Sequence, residues 1–188
     1  MKQEIINLPH WLQGRFIILV GLMGAGKTKL GRIVASSINI PFIDTDAEIE
    51  KAAGYTVREI FDRFGEKYFR DGEHRVIERI LREQPAVLAT GGGAYMDLKI
   101  RNAMSKHGIT IWLRADLDLL VQRTKYRIDR PLLNKGNARK ILAGLIAERY
   151  PVYAQSELVI DVSDEPASKT AKKIIDLLTN HDPKEDSK

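Results

Sequence analysis

Cysteine is absent from the 188 residues, which excludes disulfides, zinc ribbons, iron–sulfur clusters and any thiol nucleophile. Histidine is sparse: His10, His74, His107 and His181 lie far apart, with no His-x-x-x-His or Glu-x-x-His pair to suggest a transition-metal site. No apolar run approaches the roughly 18–20 residues that span a bilayer. The opening Met1-Lys2-Gln3-Glu4 carries an acid where a secretory leader carries base. The expectation is therefore a cytoplasmic protein with no membrane partner. Aromatic residues make up 7% of the chain, too few and too scattered for a platform that stacks single-stranded nucleic acid. A net charge of +5 is too mild to demand a polyanionic partner. What is present is an ordinary globular balance, 44% apolar and 29% charged, at a length that suits one compact domain.

Short apolar runs alternate with longer stretches of 3.6-residue period, a pattern that predicts a parallel sheet with crossover helices. Phe16 to Val20 reads as the first buried strand, followed by a glycine-rich turn and a helix from about Lys27 to Ile38. Pro41-Phe42-Ile43 is a second strand, ending in Asp44-Thr45-Asp46. Thr56 and Glu59 have capping-box spacing, and a longer helix follows from about Glu66 to Glu83. Ala86–Ala89, Ile109–Leu113 and Leu158–Val162 complete five strands, interleaved with helices over Asp97–His107, Asp116–Thr124, Ala138–Tyr150 and Ala167–Leu178. Residues 181–188 read as a disordered tail.

Gly21-Leu22-Met23-Gly24-Ala25-Gly26-Lys27-Thr28 fits G-x-x-x-x-G-K-[ST] at every fixed position, directly after a strand and opening a helix. Glycines let successive backbone N–H groups wrap a phosphate, and the helix N-terminus adds partial positive charge. Lys27 is placed to reach the β- and γ-phosphates, and the Thr28 hydroxyl is a ligand type suited to Mg²⁺. A ligand-free glycine turn is the plain alternative, and the strand-before, helix-after context weighs against it.

The motif names a nucleotide site and leaves the reaction open. A GTPase switch is disfavoured, because Asn134-Lys135-Gly136-Asn137 lacks the Asp that reads guanine. A small-molecule kinase needs an acceptor pocket, and Asp44 and Asp46 stand at the same sheet edge as the phosphate loop. Alone, Asp46 reads equally well as the cap of a helix beginning at Ala47. Arg70, alone, reads as a surface helix residue paired with Glu66 or Glu73.

An ordered set of segments carries more than any one of them. It comprises Gly21 to Thr28, Phe42-Ile43-Asp44-Thr45-Asp46, and Gly65-Glu66-x-x-Phe69-Arg70-x-x-Glu73. Gly91-Gly92-Gly93, Arg130-Pro131-Leu132-Leu133 and Glu148-Arg149-x-x-x-Tyr153 follow. In this set the chain resembles the shikimate kinase family from Phe16 to about Leu178. The resemblance implies a single-domain α/β P-loop kinase over 16–180, with a five-stranded parallel sheet, helices on both faces and a mobile lid at about 124–137. It implies ATP-dependent phosphorylation of the shikimate 3-hydroxyl, on the route to chorismate and the aromatic amino acids, by a monomer using Mg²⁺.

The roles it implies suit a small triol with one carboxylate. Arg70 and Arg149 would fork the carboxylate, as planar guanidinium groups do best. Asp46 would accept from the ring hydroxyls, including the attacking one, as base or orienter. Gly91, Gly92 and Gly93 would let backbone approach the substrate. Gly24, Ala25, Gly26, Lys27, Thr28 and Lys29 would hold the ATP phosphates, with Arg123 flanking adenine and Arg130 meeting the transferring phosphoryl group. Thr28 and, through water, Asp44 would serve Mg²⁺. Another small-polyol kinase, such as a gluconate kinase, would share the phosphate loop without needing both arginines and the glycine triplet. A slow nucleotide-dependent switch or binding module is the alternative outside kinases.

Two features depart from the simplest pattern. Glycines, not an acid, follow the third strand. An extension over residues 1–15 carries Ile5, Ile6, Leu8, Trp11 and Leu12, free to pack on the domain, meet a partner or do neither. The charge also has an address. From Val121 to Arg149 eight basic residues face two acids, so the whole positive excess falls in the expected lid and the helix after it.

Overall fold

The computed structural model describes residues 9–125 and 137–181. Five strands, β1 (Phe16–Val20), β2 (Phe42–Asp44), β3 (Val87–Ala89), β4 (Gly108–Ala115) and β5 (Leu158–Val162), form one sheet in the order β2-β3-β1-β4-β5. Every pairing is parallel, from Ile17 beside Val87 to Leu113 beside Ile160. All five residues of β1 are buried, as expected of a central strand covered on both faces. The helices are α1 (Lys27–Ser37), α2 (Thr45–Ala53), α3 (Val57–Ile80), α4 (Leu98–His107), α5 (Leu117–Thr124), α6 (Ala138–Tyr153) and α7 (Ala167–Asn180).

Topology explains where a site can form. The chain leaves β1 through α1 to the far edge strand β2, returns to β3, and then crosses β1 to reach β4 and β5. Right-handed crossovers put α1 on one face, where α7 packs against it, and place α3 with α4 and α5 with α6 on the other. The direction of winding therefore reverses between β1 and β3, and the loops after these two strands flank the crevice that results.

Local chemistry sets the element ends. Thr56 and Glu59 form the expected capping box at the start of α3, and Asp97 and Asp116 cap α4 and α5. The two helices expected around Gly65 are continuous in path but broken there, because Gly65 takes φ 81°, ψ 173°. Two expectations need correction. The cap of α2 is Asp44, whose carboxylate accepts from the Asp46 N–H; Asp46 lies inside the first turn. And α6 runs past Pro151 to Tyr153, where Pro151 forfeits one hydrogen bond while Tyr153 beyond it is fully buried.

The described part of the N-terminal extension packs on the domain. His10–Leu12 make a 3-10 turn, Leu12 is buried, and the Trp11 ring meets His181 edge-on at 5.2 Å. Arg15 Nη2 donates to the Gly108 carbonyl at 2.6 Å, fastening the extension to the start of β4. Burying Leu12 contributes on the order of 1.5–3 kcal/mol. Ile5, Ile6, Leu8, most of the expected lid and the tail beyond His181 lie outside the described residues.

Candidate active site

The phosphate loop joins β1 to α1 as the sequence requires. Gly24 and Gly26 adopt φ 86° and 98°, which side chains with a Cβ rarely tolerate, and Gly26 is the residue from which α1 starts. Lys27 Nζ donates to the carbonyls of Gly21 at 2.7 Å and Leu22 at 3.0 Å, so the ammonium is held over the loop. Thr28 Oγ1 donates to Asp44 Oδ2 at 2.7 Å, while Asp44 Oδ1 accepts from the Asp46 N–H at 3.1 Å. One carboxylate thus links the phosphate loop to the start of α2.

These groups open onto a cleft of about 830 Å³ at the carboxyl edge of the sheet. Lys29 and Arg32 from α1 line it on one side, and Val162 at the end of β5 with Asp164 and Glu165 beyond it on another. Arg123 bridges the two sides: Nη2 donates to the Ser163 carbonyl at 3.0 Å and Nη1 reaches the Gly24 carbonyl at 3.5 Å. Glu165 accepts from Thr170 and Lys173, which tie the far wall to α7.

A second, smaller cavity adjoins the first and shares Met23, Asp46 and Gly92 with it. Its walls bring together Asp46, Arg70, Gly91, Gly92, Gly93 and Arg149, all six of the residues expected to hold an acceptor. Val57, Phe61 and Phe69 supply an apolar side. Arg70 makes the ion pairs expected of a helix residue and also lines this cavity. Its Nη1 donates to Glu73 Oε2 at 2.6 Å and its Nη2 to Glu66 Oε1 at 3.2 Å, yet it faces the cavity. Arg149 is 7% exposed and its Nη1 donates to the Gly92 carbonyl at 3.0 Å. Its Nε has no hydrogen-bond partner among the described residues, with Glu148 3.8 Å away. The Nε–Nη2 edge is the one that takes a carboxylate side-on.

The glycine triplet is explained mainly by close approach. A Cβ on Gly91 would lie 2.6 Å from Glu73 Oε1 and 2.8 Å from Asp46 Oδ1, and one on Gly93 would overlap the Arg70 guanidinium. The Gly91 N–H is spent on Thr45 Oγ1 at 2.9 Å, so that amide is not available to a ligand. Gly93 has φ −100°, so alanine there is unstrained in the backbone and its collision is with the far end of a flexible side chain. Gly93→Ala is therefore expected to raise the KM for the acceptor about tenfold or more, with some loss of melting temperature, since Arg70 must swing aside from buried Glu73. A normal acceptor KM in that variant would mean the Arg70 fork is not used.

Glu73 is the residue that sequence reasoning left without a role. It is fully buried beneath Arg70, and burial pushes its carboxyl above the usual range; Arg70 opposes that shift and Asp46 adds to it. For Arg70, burial is the largest single influence and works against the charge, but the Glu73 and Glu66 carboxylates together outweigh it and hold the guanidinium ionised. A signal was available. Phe69, Val76, Ile77 and Ile80 are an apolar stripe on α3, and Glu73 falls in its middle, a place where an acid needs a partner.

Two expected site residues remain: Ala25, buried within the loop and not among the residues lining the cleft, and Arg130, which lies outside the described residues. Comparison with known proteins decides the family. The shikimate kinase family model matches residues 23–179. The chain belongs to the shikimate kinase family. A shikimate kinase of Brucella canis is 48% identical over 185 residues, covering 98% of this chain and 92% of that one. A shikimate kinase of Mesorhizobium japonicum is 46% identical over 179 residues, 95% and 88% of the two chains. Among solved structures, a shikimate kinase from Acinetobacter baumannii in complex with shikimate superposes with a TM-score of 0.86 at 36% identity, covering 89% and 94%. A gluconokinase from Sinorhizobium meliloti gives 0.57 at 18% identity over 88% and 91%, a likeness of fold alone. As a shikimate kinase family member with a complete phosphate loop, the protein is a kinase that uses ATP as co-substrate. Among the described residues no helix is long and apolar enough to cross a membrane.

Proposed function

We propose that this chain transfers the γ-phosphoryl group of ATP to the 3-hydroxyl of shikimate, giving shikimate 3-phosphate and ADP on the route to chorismate. One observation carries the reading: two arginines and an aspartate converge on a small cavity that meets the phosphate-loop cleft at Asp46. Arg149 and Arg70 hold the carboxylate at one end of the acceptor, and the apolar side formed by Val57, Phe61 and Phe69 receives the ring. Asp46, common to both cavities, accepts from the attacking hydroxyl and points its oxygen at the phosphoryl group. Little deprotonation is needed early in a loose transition state, so much of this contribution is orientation.

Gly24, Ala25, Gly26, Lys27, Thr28 and Lys29 cradle the phosphates, and Arg123 flanks the base beside the wall formed by Val162 and Asp164. Arg130 is assigned the charge on the transferring group, on the strength of its place in the family segment Arg130-Pro131-Leu132-Leu133. The Thr28 hydroxyl and Asp44 carboxylate are the hard oxygen donors Mg²⁺ selects, and one carboxylate beside nucleotide phosphates is its usual protein complement. When bound, Mg²⁺ neutralises charge on the phosphate oxygens. The chain is further proposed to work as a cytoplasmic monomer. The test is ADP release coupled to a spectroscopic readout. Shikimate is expected to stimulate turnover strongly and gluconate not at all; a folded protein indifferent to shikimate would overturn the reading.

A further inference from the structure

We infer that the Tyr153 hydroxyl is a positioning group for Arg149, acting on it directly and through the Gly92 carbonyl that both side chains hold. The inference rests on the reading of Arg149 as the carboxylate fork and goes beyond it to ask what holds that fork still. Arg149 and Tyr153 are four residues apart on α6, so they share one helix face. Both donate to the same acceptor: Arg149 Nη1 to the Gly92 carbonyl at 3.0 Å, and the Tyr153 hydroxyl to that same oxygen. A carbonyl has two lone pairs, and here both are taken by α6.

The ring and the hydroxyl of Tyr153 have separate explanations. The ring belongs to an aromatic cluster with Trp112 at 6.1 Å, Tyr150 at 6.2 Å and Tyr95 at 6.3 Å, and phenylalanine would fill that place. The hydroxyl is what needs a reason, because burying one costs free energy unless it is paired. Its partner is not in the aromatic core but at the rim of the acceptor cavity, on the middle glycine of the triplet. Glycine leaves that peptide plane free to tip, and the second donor removes the freedom. With the carbonyl fixed, Arg149 Nη1 is pinned; a guanidinium is planar, so pinning one nitrogen directs the Nε–Nη2 edge as well. Burial pushes the phenol up to about 12, so it remains a donor throughout the neutral range.

Tyr153→Phe removes one oxygen and keeps the ring. The expected result is a shikimate KM raised about three- to tenfold, with kcat and the ATP KM each within about twofold of the parent. In an Arg149→Ala background the same change is expected to add little, because the group it positions is gone. A lowered melting temperature with an unchanged shikimate KM would make the hydroxyl structural only and overturn the inference. So would an effect that multiplies in full with that of Arg149→Ala. A parent enzyme that ignores shikimate would instead overturn the functional reading, which keeps the two failures apart.

Discussion

Asp46→Asn is expected to lower kcat by about 10²–10⁴-fold while ATP binding, measured by calorimetry, stays within about threefold. The substitution keeps the shape of the side chain and removes the charge that accepts from a hydroxyl. It also leaves the surrounding scaffold intact, because the cap of α2 is Asp44 and not Asp46. The Thr28–Asp44 hydrogen bond and the Lys27 contacts to the loop carbonyls do not involve it. The Asp46 carboxylate adds to the upward push that burial gives Glu73, so neutralising it relieves repulsion beneath Arg70 rather than creating it. A stable variant with turnover within threefold of the parent would remove Asp46 from the chemistry. A variant that lost ATP binding as well would show that Asp46 supports the phosphate loop.

Parts of this site were legible in the sequence for reasons that can be named. The phosphate loop is legible because its function fixes four positions at constant spacing, and β5 because Leu158–Val162 is bounded by polar and turn residues on both sides. Arg70 was ambiguous because an arginine with acids at i−4 and i+3 is what a solvated helix looks like. The structure shows those pairs are made and that they hold the arginine against the cavity. Glu73, Arg149 and Tyr153 were harder, since their roles depend on what their helices pack against. Yet each sits on an apolar stripe, Glu73 among Phe69, Val76 and Ile77, and Arg149 between Leu142 and Tyr153. A charged residue on the buried face of a helix is the pattern worth searching for. The end of α6 was missed because proline normally stops a helix, and only tertiary contacts of Tyr153 beyond it explain why this one continues. Packing of Leu12 on the domain was one of three possibilities the sequence left open, because three residues of 3-10 turn carry no period that would decide among them.

Arg149→Ala is expected to weaken shikimate binding by about 2–4 kcal/mol, which is roughly 30- to 700-fold in KM. The size follows from burial: at 7% exposure the guanidinium is largely out of water, and a carboxylate meeting it there is desolvated too. Truncation is a clean experiment at this position. The Gly92 carbonyl keeps its second donor, Tyr153, so no buried acceptor is stranded and the fold is expected to hold. The same change at Arg70 would leave Glu73, fully buried, beside Asp46 without its cation, and would mix a loss of stability with a loss of affinity. Arg149→Lys should recover only part of the affinity, because an ammonium supplies charge without the parallel pair of donors. Kinetics with each substrate varied in turn separate the possibilities. A rise confined to the ATP KM would place Arg149 on the nucleotide, and the proposed orientation of the acceptor would then have to be reversed.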